Sequence, residues 1–130
     1  MSAVNYQAAS AYGKAQECVP QPWMVTALLK GVADHLAGAQ QAFAAGRRAE
    51  GVTRANKAIA ILQGLRDNLR PEISARLTGH LDQFYSSTVL RIAHLMRTGF
   101  TEEACTRVMA NIKLLHDAWA SLEDKGSGID

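Results

Sequence analysis

A chain of 130 residues with 14 basic and 12 acidic side chains, 48 % apolar residues and a net charge of +2 has the size and composition of one globular domain. Folding at this length removes about two-thirds of the unfolded surface from water, enough for a core without staples. The balanced charge excludes a nucleic-acid-binding composition, the apolar content excludes a disordered chain, and Cys18 and Cys105, in no CxxC or zinc-type spacing, argue for a reducing compartment, the cytoplasm.

The first residues, MSAVNYQAAS, carry no basic or apolar leader pattern, and no later apolar run is long enough to span a bilayer. Neither a signal peptide nor membrane insertion is expected. Residues 1–21 read as an arm: Asn5 to Glu17 is alanine-rich and can form a short helix, marginal in water unless it docks through Tyr6 and Tyr12. Pro20 and Pro22 close the arm. Trp23, Val25, Leu28, Leu29, Val32, Leu36, Ala39 and Phe43 then predict a helix over roughly 22–45 that ends at Gly46. GRRAEG reads as a polar turn with glycine at both ends, followed by a second helix defined by Val52, Ala55, Ile59, Leu62, Leu65 and Leu69.

Pro71 lacks the N–H that a helix interior needs, so the chain turns near Arg70; proline also suits a first helical turn, and a third helix is expected almost at once, with Glu72 at its positive end. Its stripe is Ile73, Leu77, Leu81, Phe84, Thr88, Ile92 and Leu95, and it stops near Gly99. Thr101 is a good N-cap for a fourth helix, whose face is Cys105, Val108, Ile112, Leu115, Trp119 and Leu122. Residues 123–130 are polar and glycine-rich and read as a mobile tail. Matched helices joined by short turns make sequential neighbours antiparallel, so the expected fold is all-α: an up-down-up-down four-helix bundle over 22–122 preceded by the arm.

Catalysis finds no seat in this pattern. Carboxylate-bridged metal sites in bundles need Glu-x-x-His pairs, yet the residues three before His35, His80, His94 and His116 are Val32, Leu77, Arg91 and Lys113. Gly126 and Gly128 form no phosphate loop, Cys105 belongs to an apolar stripe, and Arg47 and Arg48 span one solvated turn. No catalytic, cofactor-binding or metal-binding residues are expected. What stands out is surplus apolar surface: Ala58 and Ile61 beside the second helix's stripe, and Val89, Leu90, Ala93 and Met96 beside the third's. Such a second stripe widens the core face or forms a groove for a partner's amphipathic helix.

In order and spacing, several of these residues match a known pattern: Ala11 and Tyr12 followed by Pro22; Lys57 and Ala58 before Ile61, Leu62, Leu65 and Leu69; Leu81 with Phe84 and Tyr85; and LHDAW at Leu115 to Trp119. The chain resembles the FliS-type flagellar secretion chaperones from about Ala11 to Trp119. It departs from them at Leu29 to Val32, where the family has Leu-Tyr-Asp-Gly, and at Ser74 and Ala75, where the family has a Gly-Gly turn.

The resemblance implies a cytoplasmic, non-enzymatic export chaperone that needs no cofactor. It would bind the disordered C-terminal segment of flagellin, prevent premature polymerisation and assist type III export. Ordering that segment costs about 2–5 kcal/mol, which helps keep the complex releasable. The implied partner contacts are Tyr12 in the arm, Ala58, Ile61 and Leu65 on the second helix, and Tyr85 and Val89 on the third. Tyr12 would act as a lid that cargo displaces. Binding of an anti-sigma factor or the export gate, and homodimerisation, stay open. The alternatives are a paralogous chaperone with another cargo and a structural or regulatory bundle that self-associates through its extra stripe.

Overall fold

A computed structural model describes the backbone of residues 22–127 and the side chains of residues 23–121. Those residues form four α-helices and no strand: α1 Pro22–Ala44, α2 Arg48–Asp67, α3 Ala75–Thr98 and α4 Glu102–Ser127. The expected arm, with Tyr12, lies outside the described residues. Helical backbone continues to Ser127, past the point at which the sequence reading begins a tail.

Each helix buries one narrow stripe at alternating intervals of three and four residues. On α1 it is Val25, Leu29, Val32, Leu36 and Ala39; on α2 Gly51, Ala55, Ala58, Leu62 and Leu65; on α3 Thr78, Leu81, Tyr85, Thr88, Ile92 and Leu95; on α4 Cys105, Val108, Ile112 and Trp119. This spacing keeps one seam of a helix facing its neighbours along the whole length. The two threonines of the α3 stripe are satisfied locally, since Thr78 Oγ1 donates to the Ser74 carbonyl and Thr88 Oγ1 to the Phe84 carbonyl, both at 2.8 Å.

Contacts are most extensive between α1 and α2, then between α1 and α4 and between α2 and α3; α3 and α4 touch sparsely. Small residues explain the first. Gly51, Ala55 and Ala58 let α2 approach α1 closely, and a Cβ added at Gly51 would lie 2.6 Å from the Phe43 ring. Phe43 lies near Gly51, Gly38 near Arg54 and Gly31 near Ile61, so the residues of α1 meet those of α2 in reverse order.

The turns follow from local chemistry. Gly46 (φ 79°) and Gly99 (φ 97°) take the left-handed conformation that ends a helix without a Cβ clash. Phe100 follows Gly99 at φ 57°, rare for a bulky residue, while its N–H donates to the Leu95 carbonyl at 2.8 Å. Burial offsets the strain: Phe100 is 1 % exposed and stacks on Phe43, ring centroids 5.2 Å apart and 4° from parallel. That stack ties the α3–α4 turn to the end of α1. Thr101 caps α4, accepting from the Ala104 N–H at 3.4 Å.

Three local expectations are corrected. α3 does not begin at Pro71; residues 71–73 form a turn, and Ser74 supplies the cap, its Oγ accepting from the Leu77 N–H at 3.3 Å. Gly51 is not part of the first turn but a buried residue inside α2, required by the Phe43 ring. Trp23 is not core: it is 61 % exposed, since Val25, not Trp23, opens the buried stripe.

Leu81, 7 % exposed, lies in the core cluster. Leu81→Ala is expected to lower stability by about 2–5 kcal/mol through the cavity it leaves. Chemical denaturation followed by circular dichroism measures this, and a loss under about 0.5 kcal/mol would remove Leu81 from the core.

Candidate functional site

Beside the core stripe of α1, Lys30 and Ala33 face α4, and beside that of α4, Thr106, Met109, Ala110, Lys113, His116 and Asp117 face α1; with Leu29 and Ile112 of the stripes themselves they line a groove of about 490 Å³. Small side chains make it. Ala33 and Ala110 leave space between the helices that larger residues would fill, so the half-buried Met109 lines the groove and the buried Leu29 and Ile112 back its apolar floor. A groove of this size accommodates one or two large apolar side chains. Met109 is an adaptable lining residue, held from behind by Cys105, whose Sγ lies 3.8 Å from the Met109 sulfur and 3.6 Å from the Leu36 carbonyl oxygen.

The rim is charged. Lys113 Nζ lies 3.0 Å from Asp117 Oδ2, and His116 Nδ1 lies 3.1 Å from Asp117 Oδ1. Those two neighbours, His116 foremost, hold the Asp117 carboxyl below the usual carboxylate range. Lys30, opposite on α1, has no ion pair with a described residue. The groove thus joins an apolar floor to a net basic rim. Burial pushes the Cys105 thiol up, away from the nucleophilic thiolate, and among the described residues no group of His, Cys, Asp and Glu side chains is placed to hold a metal ion.

The partner contacts read from the sequence fall elsewhere. Ala58, Leu65 and Tyr85 are buried in the core, Ile61 and Val89 are half-buried beside it, and Tyr12 lies outside the described residues. Ile61 and Val89 alone among these expose side-chain surface that is partly free. The surplus apolar stripes read from the sequence lie on α2 and α3, whereas this groove lies between α1 and α4 and owes its space to small side chains. Alanines 33 and 110, flanking the two core stripes, were the available signal. No helix among the described residues is long and apolar enough to cross a membrane.

A family model described as flagellar protein FliS matches residues 3–126 of the chain. No curated protein matches it.

Tyr85 gives a direct test of its environment. Its hydroxyl is buried with no hydrogen-bond partner among the described residues, and desolvation pushes its pKa from 10 up to about 12. The fold thus favours the neutral phenol; this contribution is whole below pH 10 and is lost as pH rises through 12. Tyr85→Phe is expected to leave stability at pH 7 unchanged or raise it by up to about 1 kcal/mol, and to remove part of the alkaline loss. Denaturation at pH 7 and pH 11 decides, and a loss above about 1 kcal/mol at pH 7 would show that the hydroxyl is satisfied.

Proposed function

Because the chain belongs to the FliS family of flagellar proteins, we propose that it is a cytoplasmic export chaperone that holds the C-terminal segment of a flagellin before type III export. The observation that carries this reading is the α1–α4 groove, whose apolar floor and basic rim suit one face of an amphipathic helix. Cargo helices would seat large apolar side chains in the groove and run on across the half-buried edges of Ile61 and Val89. Burying those side chains keeps them from pairing with other flagellin copies. Because the cargo orders only on binding, affinity stays below what the contact area alone would give.

Packing order supports an antiparallel, up-down-up-down arrangement of the four helices. Each sequential pair is in contact, α4 returns to α1, and residues 45–47 and 99–101 leave no length for a crossover. The reading includes no cofactor, nucleotide or bond-making step. A self-associating bundle is the second reading, favoured by Leu90 on α3 and Leu114 on α4, which are 70 % and 71 % exposed.

Isothermal calorimetry with purified C-terminal fragments of the flagellins from the same cell tests the proposal. A one-to-one complex with Kd of about 1 μM or tighter is expected, weakened at least about ten-fold by Ala33→Arg, which fills the groove. No heat and no co-elution with any of them would sink the chaperone reading, and a dimer by light scattering would then favour self-association. The arm with Tyr12 is proposed as a lid. A chain beginning at Gln21 should therefore bind cargo up to about ten-fold more tightly; weaker binding would make the arm a clamp.

A further inference from the structure

A glycine inside a helix costs about 1 kcal/mol relative to alanine, and α1 carries Gly38 on the side that faces α2. A Cβ at that position would lie 2.5 Å from Nη2, 2.7 Å from Cζ and 2.8 Å from Nε of Arg54. The guanidinium thus rests directly on the α1 backbone, where its Nη2 donates to the Asp34 carbonyl at 3.0 Å. Its position is fixed, yet among the described residues no carboxylate neutralises its charge. Arg54 engages Asp34 through the main chain only, and no described carboxylate forms an ion pair with Arg54 or with Lys57, one turn further along α2. By contrast Arg47, Arg66, Arg70, Arg107 and Lys113 each have one. Arg54 Nε and His35 Nδ1 are buried atoms with no hydrogen-bond partner among the described residues. Burial first, then the charges of Arg54 and Lys57, hold the His35 imidazole below its ordinary pKa, while Asp34 acts weakly the other way.

We propose that Arg54, with Lys57 and His35 beside it, is a carboxylate seat on the α1–α2 face that takes an acidic side chain of a bound polypeptide. A guanidinium held in place loses little entropy on pairing, and its fork matches a carboxylate. Two turns along α2, Ile61 lies half-buried against Gly31, its Cδ1 3.6 Å from where a Cβ there would stand. An acid-binding point two turns from an apolar ledge fits one face of an amphipathic segment, and two cations are too few for the phosphate run of a nucleic acid. The seat rests on the chaperone reading and adds to it the charge pattern of the cargo.

The test is calorimetry of the full chain with the flagellin fragment that binds it. Arg54→Gln is expected to weaken binding by about ten-fold or more and to reduce its salt dependence. Gly38→Ala keeps every charge but displaces the guanidinium; it should weaken binding to a similar degree while the unfolding midpoint stays equal or rises, which a merely structural role would not produce. Arg107→Gln, which removes an exposed and ion-paired cation on α4, should bind as the wild type does. Wild-type binding left unchanged by both Arg54→Gln and Gly38→Ala overturns the seat alone. Absence of wild-type binding removes the chaperone reading and the seat with it. Poly-U RNA that binds the wild-type chain and not Arg54→Gln, with fragment affinity unchanged, assigns the seat to phosphate and overturns the carboxylate.

Discussion

Everything in this fold depends on the alternation of three and four residues between buried positions. A stripe of that spacing is too continuous to be left in water, so each helix must turn it towards its neighbours, and each of the four packs against two others. The closest of these contacts, between α1 and α2, is set by glycine and alanine; the looser one, between α1 and α4, leaves the groove. One rule for the core therefore yields two kinds of surface, and the size of the side chain beside the stripe decides which.

That rule was legible in the chain. Leu29, Leu36, Leu62, Leu81, Ile92 and Ile112 announce their helices by spacing alone, and all are buried. Caps were partly legible: Thr101 does what its chemistry suggests, whereas Pro71 advertised a helix start that Ser74 took instead. What the sequence hid depends on partners distant along the chain. Gly51 looks like a turn glycine until the Phe43 ring stands over it, and Phe100, just after a stop signal, looks like a loop residue until it stacks on Phe43.

The functional surface was less legible than the fold for the same reason. Apolar residues in excess of one stripe were the visible cue, but of these Ala58 is buried in the core, Ile61 and Val89 lie half-buried at its edge, and Leu90 is exposed. Concavity comes from absent atoms, which a list of residues does not display. The same holds for charge. Arg54 is one of many basic residues in the sequence, and only the glycine beneath it shows that its position is fixed.

The sparse contact between α3 and α4 carries a consequence for how the chain is made. Synthesis delivers α1 and α2 first, and they can zip together while α3 is still being added, since their contacts are local. Of the four described helices α4 arrives last, and it must find α1 with little guidance from the helix just before it. Until α4 is made, it cannot pack on the side of α1 that bears Leu29 and Ala33. The nascent protein therefore passes through a stage at which one wall of its groove exists without the other.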